Sequence, residues 1–226
     1  MKKNYYIYKM NKNVINVYPF ILLAICACLY FLIYRDKSID IFNDNILFVT
    51  LLLIPYLLFH ELLHSFSYVI HGAKFKNVTY GIVLEKGVMC CLCKQNITKK
   101  NILISLLYPF FFIGIVTLII GIIFDLPILV LLSFTNIVGC SGDLTMFYHL
   151  VRIKNFEYSE FDDPTSFGLY TTEDLSSRKF FGLDYVDKKE KLDIKDYRKL
   201  YVSKTSVIFL LLYFVICVFD IILQCL

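Results

Sequence analysis

The chain has 226 residues, 58% of them hydrophobic, a mean hydropathy of +0.65 and a formal net charge of +4. That apolar excess excludes an ordinary soluble domain, and the small positive charge reflects the loops of a membrane protein, with no nucleic-acid partner. The expected class is an all-α polytopic membrane protein of about five transmembrane helices, with a short cytoplasmic β-hairpin and a small cytoplasmic segment.

Five stretches can cross a hydrocarbon core of roughly 30 Å at about 1.5 Å per helical residue. They run approximately over 17–34, 46–71, 102–123, 127–150 and 206–225. Lys2, Lys3, Lys9 and Lys12 precede the first, which reads as an uncleaved anchor because its apolar part exceeds a signal core and runs into Arg35-Asp36-Lys37 with no small-x-small site. Of the 23 Lys and Arg, 21 fall before the first span, in 72–101 or in 152–204. Positive loops stay inside, so the expectation is a multi-pass cell-membrane protein with a cytoplasmic N-terminus and an external C-terminus.

In the second loop, Val78 to Leu84 and Val88 to Leu92 are β-prone runs around Glu85-Lys86-Gly87, the pattern of a hairpin. An edge strand there could receive an extended peptide. The reading divides the chain into a membrane core (1–151), a cytoplasmic segment (152–204) and a C-terminal helix (205–226). Within the segment, Asp162-Asp163-Pro164 and Gly168 mark turns, Phe-Gly-Leu at 167–169 and 181–183 marks extended pieces, and Asp187 to Leu200 reads as helical. Five of the eight cysteines lie in spans as small apolar residues. Cys90, Cys91 and Cys93 lie in a reducing loop, where a structural cluster is favoured over a disulfide or metal role.

The second span contains His60-Glu61-Leu62-Leu63-His64. This HExxH pattern is expected by chance roughly 0.006 times in a chain of this composition. Two histidines four apart share one helix face and can reach a single tetrahedral Zn²⁺. Glu61 lies beside them, placed to take a proton from metal-activated water and return it to a leaving amine. Three protein ligands are usual in catalytic zinc sites. The fourth span offers a carboxylate, Asp143, in an apolar segment where a cation would offset its cost. Counted from the cytoplasmic ends of their spans, His64 and Asp143 both lie about 10 Å deep. Small residues Gly139 to Gly142 would let helices approach closely there. Asn136, two turns before Asp143, could bind substrate or an oxyanion. Pro55 and Pro109 each remove a helical hydrogen bond and could admit water.

These residues resemble the putative zincin peptidase family of small integral membrane proteins. The shared features are HExxH in the second span, Tyr108-Pro109 in the third, and the Asn136 to Ser141-Gly142-Asp143 element in the fourth, over about residues 45–185. The site is also similar to that of site-2 proteases, although those follow their Asn with a proline and a Leu-Asp-Gly where this chain has Gly-Cys-Ser-Gly-Asp-Leu. The resemblance implies His60, His64 and Asp143 as ligands, Glu61 as base and Zn²⁺ as the only cofactor. The leading expectation is a zinc-dependent endopeptidase that hydrolyses peptide bonds in a membrane-embedded or membrane-adjacent protein near the cytoplasmic leaflet, with no substrate rule taken over from site-2 proteases.

Other readings stand beside this one. The HExxH residues could form a buried polar cluster, and Asp143 a packing hydrogen bond. The whole could be a non-catalytic metal-binding scaffold or regulator, although such a module has no need of Glu61. His71 could relay protons but sits before Gly72 where a helix would end. His149 reads as interfacial, and Asp220 as reaching water near the outer face. Haem binding through the paired histidines is disfavoured, because two histidines on one helix face cannot occupy opposite axial positions of one haem. No motif identifies an oligomeric state or a partner besides the bilayer and a protein or peptide substrate.

Overall fold

The computed structural model describes residues 4–11, 13–34, 38–83, 88–160, 166–176, 178–186 and 197–200. The expected span at 206–225, the Asp162-Asp163-Pro164 turn and the hairpin turn at 84–87 lie outside them. By internal contacts the chain divides into two compact units. One comprises Met1–Val17, Glu61–Tyr108 and Gly142–Val202, the other Tyr18–His60, Pro109–Ser141 and Ser203–Leu226.

The first unit holds both sheets of a mixed α/β fold, which overturns the all-α expectation. Strand β1 (Asn4–Met10) is rich in tyrosine and suited to a pleated, half-buried surface. It pairs antiparallel with β6 (Ser166–Thr171) and β7 (Leu183–Val186), while β5 (Phe156–Glu160) and the short β4 (Ile97–Thr98) extend the sheet in the order β4-β5-β6-β1-β7. Its core is aromatic. Tyr8, 1% exposed, packs against Phe167, Phe180 and Tyr185, and Phe167 stacks on Tyr158. Burial pushes the Tyr8 hydroxyl up to about 12, with Tyr6 and Tyr185 adding to the shift.

Gly168 lies in mid-strand, not at a turn. A Cβ there would sit 2.5 Å from the Tyr5 hydroxyl, so the missing side chain lets Tyr5 cross β6 and stack on Tyr170. The second Phe-Gly-Leu is different, since Gly182 takes φ +85° in the turn leading into β7.

The expected hairpin is present. Strands β2 (Val78–Val83) and β3 (Val88–Cys93) pair from Val78↔Cys93 to Val83↔Val88. A third strand, β8 (Tyr197–Leu200), pairs with β2 where a helix was expected. The same unit contains the later part of α2 (Ser38–Ile70), nearly all of α3 (Lys99–Pro109) and nearly all of α6 (Ser141–Leu150). Gly72, at φ +94°, ends α2, and Ala73 N–H returns to Tyr68 O.

The second unit is helical. It contains α1 (Tyr18–Ile33), the earlier part of α2, a π-helical segment (Phe110–Val116), α4 (Thr117–Ile123) and α5 (Pro127–Gly139). Cys26, Tyr30 and Tyr34 of the α1 region pack on Val130 and Phe134 of α5. Gly121 permits close approach of α4 and α5, since a Cβ would fall 2.7 Å from Val130. Tyr56 donates to the Ile113 carbonyl at 2.7 Å and ties α2 to the π segment.

Among the described residues, Lys99–Ile123 alone is long and apolar enough to cross a membrane as one helix. The bent pair α5 and α6 would count as a second only if taken as one span. The helix expected over 127–150 breaks at Cys140, and α1, at 16 residues, falls short of the roughly 20 needed for a span. The six described cysteines are all free thiols.

Candidate metal centre

His60, Glu61 and His64 lie within five consecutive residues of α2, and all three are buried. A buried imidazole needs its polar atoms satisfied, and here each ring is held through Nδ1. In the second unit, His60 Nδ1 lies 2.8 Å from Asn136 Oδ1. The Asn136 amide nitrogen donates to the Pro109 carbonyl at 3.0 Å, which assigns Oδ1 as the acceptor of the His60 N–H. In the first unit, His64 Nδ1 lies 3.0 Å from the Ser105 carbonyl. A carbonyl can only accept, so Nδ1 carries the proton.

Both rings are thereby set in the tautomer that leaves Nε2 with the lone pair, the state required of a ligand nitrogen. His64 Nε2 faces Asp143 Oδ2 at 3.3 Å. A lone pair and a carboxylate oxygen at that separation repel unless a positive charge, a proton or a metal ion, lies between them. For tetrahedral zinc with bonds of roughly 2.0–2.2 Å, ligand atoms are about 3.4 Å apart. The ligand atoms of His60, His64 and Asp143 all lie within 4.8 Å of one another, so the three could hold a metal ion. Two imidazole nitrogens and one carboxylate oxygen are a donor set that suits Zn²⁺.

Asp143 reaches this position because α5 stops at Gly139 and α6 restarts at Ser141. The carboxylate then sits in the first turn of α6, where the helix dipole favours negative charge. His71 bonds instead to the Ser67 carbonyl one turn back on α2, at 2.7 Å, and His149 to the Phe181 carbonyl. Cys90 and Cys91 belong to the β2–β3 ladder, with Cys90 Sγ near the Gly81 carbonyl.

Ser105 was not visible from sequence, since its contribution is a main-chain carbonyl. Tyr80 was also missed. It lies on β2, 6% exposed, with its hydroxyl toward Ser65 on the α2 face that Glu61 shares, yet without a hydrogen bond of ordinary geometry. Burial raises its pKa, and the neighbouring Cys91 and Glu61 add to the effect.

A family model adds an independent observation. Residues 51–156 match the model described as "Putative zincin peptidase". The matched region contains HExxH, Ser105, Pro109, Asn136 and Asp143, which are all the residues that build the centre. No curated protein and no solved structure matches the chain.

Proposed function

We propose that the protein is a zinc-dependent peptidase that cleaves a membrane-embedded or membrane-adjacent protein, with Glu61 as general base. The observation that carries this reading is the pair of Nδ1-anchored histidines that, with Asp143, bring three ligand atoms within 4.8 Å of one another. His60, His64 and Asp143 would hold the ion. Zinc, when bound, supplies Lewis acidity and brings the pKa of a bound water toward 7.

The remaining steps belong to the chain. Glu61, beside His60, takes the proton from the attacking water and delivers it to the departing amine. Asn136 is committed to His60 and Pro109, so in this proposal it orients a ligand instead of contacting substrate. Tyr80, on the Glu61 side, donates a hydrogen bond to the oxyanion of the attacked carbonyl.

A membrane setting is supported by apolar side chains left exposed on two helical stretches. They include Phe20, Ile21 and Leu32 of α1, and Phe111, Phe112 and Ile123 within Lys99–Ile123. The pairing of β1 with β6 and β7 supports a reading in which Asn4–Met10 and these two strands share one side of a bilayer. That agrees with the distribution of Lys and Arg, which fall mainly before the first span and in 72–101 and 152–204 and favour the cytoplasmic face for those segments.

The test is comparison of newly formed protein N-termini in membranes from cells expressing wild type or Glu61→Gln. Peptide ends that appear with wild type and vanish with Glu61→Gln, at equal zinc content, support the proposal. Identical termini in both samples would remove the peptidase reading.

A further inference from the structure

In an α-helix the carbonyl of residue i accepts from the N–H of residue i+4. A proline has no such N–H, and it withdraws the partner of the carbonyl four residues earlier. Pro109 ends α3, and the residue four positions before it is Ser105. The Ser105 carbonyl is the one that accepts from His64 Nδ1, at 3.0 Å. Pro109 is also where the π-helical segment begins. Its own carbonyl accepts from the Asn136 amide at 3.0 Å, and Asn136 Oδ1 in turn accepts from His60 Nδ1 at 2.8 Å.

We infer that Pro109 is the positioning residue for both histidines. Its missing N–H releases the Ser105 carbonyl to His64, and its carbonyl anchors the amide that orients His60. The inference rests on the metal reading above. It explains why a helix passing the site carries a proline at this position: a regular helix would spend the Ser105 carbonyl on its own backbone. Pro55, the proline inside α2, makes a useful contrast. It withdraws the partner of the Leu51 carbonyl, which lies more than two turns before His60.

The test uses the full chain purified in detergent, with Zn²⁺ alone as the probe and a chromophoric chelator as competitor. Wild type, Pro109→Ala and Pro55→Ala are compared for zinc Kd and for metal-free thermal midpoint. Pro109→Ala restores the N–H, so its zinc Kd rises about 10–100-fold, the usual effect of losing an outer-shell partner. Its metal-free midpoint holds or rises, because a helical hydrogen bond is regained. Pro55→Ala leaves the zinc Kd within twofold.

A proline that served only to shape the helix would move zinc affinity and stability together, so their divergence is the signature. If Pro109→Ala does not fold, Pro109→Gly returns the same N–H and takes its place. A wild-type zinc Kd matched within twofold by the Pro109 variant overturns this inference while leaving the metal site intact. Equal weakening by the Pro55 variant also overturns it. Absence of zinc binding by wild type overturns the metal reading and this inference with it.

Discussion

The middle of α2 and the end of α6 each bury a histidine, and the two are wired differently. At His64 the backbone takes Nδ1 and leaves Nε2 facing Asp143. At His149 the backbone takes Nε2, which donates to the Phe181 carbonyl at 2.6 Å, and the ring packs edge-on to Phe180 and Tyr148. Among the described residues His149 belongs to no cluster of metal-ligating side chains. Burial therefore does not distinguish a ligand from a packing residue. The nitrogen that the main chain claims, and what the other one faces, does.

The comparison breaks most visibly at Glu61. Glu61→Gln should lower peptide hydrolysis by roughly 10²–10⁴-fold at unchanged zinc content, measured on any peptide end lost in the membrane comparison. Zinc loss in that variant would make Glu61 a ligand and redraw the site. Asn136→Ala removes the His60 anchor and should raise the zinc Kd about 10–100-fold by chelator competition. An unchanged Kd would return Asn136 to the substrate side. Tyr80→Phe should lower kcat by about tenfold, one charge-assisted hydrogen bond, and leave the zinc Kd alone. His149→Ala should leave zinc binding intact and cost about 1–3 kcal/mol of stability by thermal denaturation, as a buried packing contact. Zinc loss there would erase the contrast between the two histidines.

The candidate site was more legible than the fold. HExxH carries its geometry in its spacing, because four residues on a helix fix one face, and Asp143 was conspicuous as a charge in an apolar run. Ser105 was hidden because main-chain carbonyls leave no trace in side-chain identity, and Pro109 showed a broken helix without showing what used the break. The five-stranded sheet was hidden for another reason. β1 and β6 lie more than 150 residues apart, and local pattern does not encode such a pairing. Gly168 read as a turn since glycine usually punctuates, whereas here it makes room for Tyr5. The break at Cys140 was likewise unread, because Gly139 to Gly142 passed as small packing residues within one continuous span.

The most direct measurement is metal content by mass spectrometry on detergent-purified protein, wild type beside His64→Ala, Asp143→Ala and His149→Ala. The account predicts near-stoichiometric zinc in wild type and His149→Ala, and its loss in the other two. Zinc absent from wild type, or retained without His64 and Asp143, would contradict it.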